Sequence, residues 1–98
     1  MIKMDKTQQA SLMQGALRDY QDGLMSLGTL VQKIEGIVEI IQDQHFKDSI
    51  FDSIIALEEV YARTRIGDFD FDKDGRLVVD RAVQHILSTV VTYTARLN

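Results

Sequence analysis

Ninety-eight residues, 45% apolar and 27% charged, with no cysteine and no proline, describe a single globular domain. The composition excludes disulfides, thiolate metal sites and a cysteine nucleophile. A net charge of −4 repels phosphate backbones and argues against nucleic acid, and the lack of a leader-like or membrane-length apolar run leads one to expect a cytoplasmic protein.

The first helix is predicted from about Thr7 to Asp22, with Met13, Leu17 and Tyr20 on one face. Leu24 would continue that face. Gly23 stands where a left-handed C-cap would end the helix. Gly15, unfavourable inside a helix, implies a close helix–helix approach.

A second helix is expected to be capped by Thr29. Its apolar stripe is Leu30, Val31, Ile34, Ile37, Val38 and Ile41, with Ile40 widening it. Gln44-His45 reads as a bend. A third helix, from about Lys47 to Arg65, carries a wide stripe of Ile50, Phe51, Ile54, Ile55, Leu57 and Tyr61, with Val60 beside it. That width implies contact with two neighbours. Gly67 ends it.

The segment from Asp68 to Asp80 is the most unusual. It holds five aspartates against Lys73 and Arg76, a net of −3. Phe69 and Phe71 alternate with Asp68, Asp70 and Asp72, as in an extended run with aromatics inward and carboxylates outward. Asp74-Gly75 is a tight-turn signal, and Leu77-Val78-Val79 a short return strand or the lead-in to a helix. Asp80 is the expected N-cap of a last helix, about Arg81 to Leu97, with Val83, Ile86, Leu87, Val90 and Leu97 on its core face. The architecture expected is all-α: an antiparallel four-helix bundle with an acidic loop or short hairpin before the last helix.

Catalytic chemistry has few carriers. His45 and His85 are the only histidines, and neither has a metal-ligand spacing. There is no nucleophile elbow, P-loop or dinucleotide fingerprint. The reading is a non-enzyme without cofactors or resident metal.

Two uses of the acidic segment remain beside a merely solvated loop. Asp70, Asp72, Asp74 and Gly75 match positions 1, 3, 5 and 6 of an EF-hand loop, and Asp80 could assist. Position 12, which needs a bidentate Glu, is Arg81. The other use is a surface for a basic partner, with Asp68, Asp70, Asp72, Asp74 and Asp80 in front and Glu58 and Glu59 behind. Glu59 also stands four residues before Arg63, the spacing of an ordinary helix-surface ion pair. A third alternative is a bundle that dimerises through excess apolar surface such as Ile40 and Val60.

The run from Tyr20 to Ile37, YQDGLMSLGTLVQKIEGI, resembles the opening of small helical immunity proteins. So do Ala56 to Ala62, ALEEVYA, and an acidic segment before a final helix. The resemblance covers about residues 12–90 and is to immunity proteins of contact-dependent growth inhibition systems and to colicin D-type immunity proteins. Ile40-Ile41-Gln42 runs into His45 sooner than that pattern leads one to expect. The resemblance implies a protein that covers the active site of a cognate toxin's C-terminal domain, a basic nuclease, by acidic mimicry of its substrate. The short apolar runs lead one to expect no membrane partner, and the chain is expected to be a monomer or weak dimer.

Overall fold

The computed structural model describes residues 5–65 and 73–97, and every structural statement here concerns those residues. Helix α1 spans Lys6–Gln21. It starts one residue earlier than expected because Asp5 and Gln8 form a reciprocal capping box. The Gln8 N–H donates to the Asp5 carboxylate at 2.8 Å, and the Asp5 N–H donates to Gln8 Oε1 at 3.0 Å. At its other end Gly23 adopts φ +78°. The Leu24 N–H reaches the Asp19 carbonyl and the Gly23 N–H that of Tyr20, closing a Schellman motif where the glycine called for it.

Helix α2, Leu27–Ile41, is capped by Ser26 instead of Thr29. The Thr29 N–H donates to Ser26 Oγ at 3.2 Å, so Thr29 is the third helical residue, not the cap. Helix α3, Gln44–Arg65, starts at the residue where a bend was expected. Two devices make this short connection work. Gln42 takes a left-handed conformation, φ 54°, which turns the chain, and the Asp43 carboxylate accepts the Phe46 N–H at 3.1 Å.

The largest departure is α4, Lys73–Leu97. The expected turn at Asp74-Gly75 is helix instead, Leu77-Val78-Val79 takes the helical one of its two readings, and Asp80 lies within the helix, not at its cap. Val79 stands four residues before Val83 and seven before Ile86. It extends their stripe by about one turn and is fully buried, while Leu77 and Val78 stay exposed. Helical burial of that stripe outweighs the local Asp-Gly signal.

Helix α1 packs against α2 and α4, and α3 packs against the same two helices, which makes a four-helix bundle. Cross-contacts fix the directions. Glu39 pairs with Lys47 and Gly28 meets Tyr61 between α2 and α3. His85 bonds to Ser49 and Tyr93 to Asp43 between α4 and α3. Both helix pairs are therefore antiparallel. The core is Met13 and Leu17 from α1, Leu30, Ile34, Val38 and Ile41 from α2, Phe46, Ile50, Leu57 and Val60 from α3, and Val79, Val83, Ile86 and Val90 from α4. Four assignments change. Ile40 does not widen the buried face but is 60% exposed. Phe51 is half-exposed, and Val60 is core, so it adds nothing to an apolar surface. Gly15 faces open space, with nothing within 4 Å of an added Cβ; the close approach is at Gly28. Among the described residues no helix is long and apolar enough to cross a membrane.

Candidate functional site

Asp68, Asp70 and Asp72 lie outside the described residues. Asp74 is exposed in the first turn of α4. Asp80 is exposed further along, in the shallow groove that α4 forms with Tyr20 and Met25 at the end of α1. Burial raises the Tyr20 hydroxyl's pKa, and the Asp80 carboxylate raises it further, while Arg76 opposes both. Glu58 and Glu59 sit on α3. Glu58 is on the flank that faces α2, across the bundle from the α1–α4 groove. Asp80 and Glu58 are therefore not brought together.

What the fold assembles instead is a continuous acidic face along α2 and α3. Burial pushes the Glu58 carboxyl up from its usual range, and the Glu35 carboxylate on α2 pushes it further. Two like charges are thus held near each other with no described cation between them. Seven residues before Glu58, nearly two full turns, stands Phe51 on the same stripe of α3. Its ring is 50% exposed, and half-buried Ile55 lies between the two. Below Phe51, Lys47 reaches Glu39 of α2 at 3.6 Å. On the outer side of α3, Asp48, Asp52 and Glu59 are exposed along the same turns. Among the described residues the Glu59–Arg63 ion pair that the spacing allowed is not formed.

Six described carboxylates, Glu35 and Glu39 of α2 and Asp48, Asp52, Glu58 and Glu59 of α3, therefore share the two helices with the exposed Phe51 ring, with Lys47 paired to Glu39 among them and Arg63 one turn beyond Glu59. Phe51, Asp48 and Asp52 were overlooked because the stripe reading placed Phe51 in the core. A signal did exist: from Asp48 to Glu59 the third helix contains four acids and no base.

The EF-hand alternative loses its geometry. Asp74, Gly75, Leu77 and Asp80 would have to be loop ligands and loop turns, yet all are helical. Among the described residues no group of three or more acidic, histidine or cysteine side chains is placed to hold a metal ion.

The two histidines, 40 residues apart, both line a groove between α3 and α4 with Ser49, Tyr93 and Arg96. His85 Nε2 lies 2.9 Å from the Ser49 carbonyl oxygen. A carbonyl can only accept, so Nε2 carries the proton and the ring clamps the two helices. No protein-family model, curated protein or solved structure matches the chain.

Proposed function

We propose that this protein is an immunity-type inhibitor that binds a basic toxin domain, of nuclease chemistry, and neutralises it by covering the phosphate-binding cleft. The observation that carries this reading is the half-exposed Phe51 ring on a face of α2 and α3 that also carries the Glu35 and Glu58 carboxylates. Like charges held together weaken a fold that has no use for them, whereas a cationic cleft rewards them. An aromatic anchor ringed by polar groups is the usual composition of an interface centre. The α2–α3 face thereby takes the central role that the sequence assigned to the acidic segment, with Glu58 and Glu59 promoted. Asp74 and Asp80 belong to a different side and serve at most a second contact.

The test is rapid-mixing association with the basic domain encoded beside this protein, across a salt series. Association is expected to slow as salt rises, and Glu35→Gln with Glu58→Gln to slow it about tenfold at low salt. Phe51→Ala is expected to act on dissociation instead, because the ring contributes only after docking. Unchanged kinetics in all three substitutions would remove this face from the reading. Absence of any binding or neutralisation would remove the inhibitor reading itself.

A further inference from the structure

We infer that the α1–α2 face is a homodimer interface whose occupant is a second copy of this chain. A groove of about 520 Å³ runs between these two helices. Gly15 of α1 and Gly36 of α2, both exposed, line it, and an added Cβ at either would meet nothing within 4 Å. Towards one end stand Leu12 and Ile40, 49% and 60% exposed. Towards the other, Asp19 on the α1 wall and Lys33 on the α2 wall carry opposite charges, and among the described residues they form no ion pair.

These features are self-complementary. A two-fold axis running along the groove lays α1 of each copy over α2 of the other. Asp19 then meets the partner's Lys33, Leu12 meets the partner's Ile40, and Gly15 meets the partner's Gly36, each contact occurring twice. The glycines let the helices approach closely, and the aliphatics leave water together. A foreign acidic or basic surface would satisfy only one of the two charged walls. The acidic face is independent of this contact, because Glu35 and Glu39 lie on the α3 flank of α2 while Lys33 and Ile40 lie on the α1 flank. The dimer therefore presents two acidic faces.

The experiment is sedimentation equilibrium of the full chain from about 1 μM to 1 mM, the range in which a small two-helix face should associate. The mass is expected to rise from 11.1 kDa towards twice that value. Asp19→Lys and Lys33→Asp are each expected to stay monomeric alone and to associate when mixed, since both cross-pairs are then opposite in charge. Gly36→Arg has room in the monomer and is expected to fold at least as stably, by the helix-propensity gain over glycine, while abolishing the dimer. A wild-type mass that stays at the monomer throughout overturns the inference. So does self-association of the single charge variants or of Gly36→Arg at wild-type strength.

Discussion

Gly28 of α2 lies directly beneath the Tyr61 ring of α3, so close that a Cβ there would stand 2.7 Å from Cε1. This is a close contact between the two helices that carry the acidic face. Gly28→Ala is expected to push the half-exposed Tyr61 ring tip aside, at a cost that offsets the helix-propensity gain of Ala and leaves the fold within about 1 kcal/mol of the original. Tyr61→Ala in the same chain should relieve that clash, so the two costs should not add. Chemical denaturation of the four-member cycle measures the coupling. Gly15→Ala, with nothing within 4 Å of its Cβ in the single chain, should stabilise the monomer by up to about 1 kcal/mol.

Asp43 does two jobs at the α2–α3 connection. It accepts the Phe46 N–H, and at 3.2 Å it accepts the Tyr93 hydroxyl from α4, whose ring lies 4.5 Å from that of Phe46. The Phe46 N–H is the main cause that holds the Asp43 carboxyl below its usual range, with the Tyr93 hydroxyl adding to it. A depressed carboxyl stabilises the fold above its ordinary pKa, near 3.8, and that support is lost as pH falls through the lower folded value. Asp43→Ala is expected to cost about 1–2 kcal/mol at neutral pH and to flatten this acid limb. Thermal melts of both proteins between neutral and strongly acidic pH give the comparison.

Burial, with help from the Asp43 carboxylate, raises the pKa of the Tyr93 hydroxyl above its ordinary 10.0. The contact is therefore complete below that pH and fails as pH rises through the folded value. Tyr93→Phe should lower stability by about 0.5–1.5 kcal/mol at neutral pH, and the difference should shrink in strong alkali.

The bundle was legible because Leu30 to Ile41 and Ile50 to Val60 repeat at helical spacing, and burial follows that spacing with few exceptions. The boundaries were less so. Ser26 and Thr29 are both good caps, and only the packing of Leu27 into the core decides between them. Asp43 was passed over because Gln44-His45 looked like a turn, whereas the turn is made by Gln42 in a left-handed conformation that glutamine rarely adopts. The acidic site was half legible. Charge density drew attention to the segment before α4, but the Glu35–Glu58 relationship joins two helices and has no signature in either alone.

The α4 start tests local signal against tertiary packing. Amide exchange across residues 75–80 should show helix-like protection, which a hairpin ending at Asp80 would not give its solvent-facing amides. Val79→Ala, deleting a fully buried side chain, should cost about 1–2 kcal/mol. A loss below a few tenths would mean that the stripe ends at Val83.

Glu58 offers the sharpest separation of stability from function. Its folded pKa is raised, so the native state binds the proton more tightly than the unfolded chain. Stability should therefore rise as pH falls from neutral through that raised value towards the ordinary 4.5, the reverse of the Asp43 effect at lower pH. Glu58→Gln removes both the half-buried charge and its repulsion by Glu35. It is expected to raise stability at neutral pH by a few tenths of a kcal/mol and to abolish this rise. If the face docks on a basic cleft, the same substitution should slow binding. A variant that folds better and binds worse shows that the charge is kept for its partner. One that folds better and binds equally well places the contact on α4, where Asp74 and Asp80 are the next substitutions to measure.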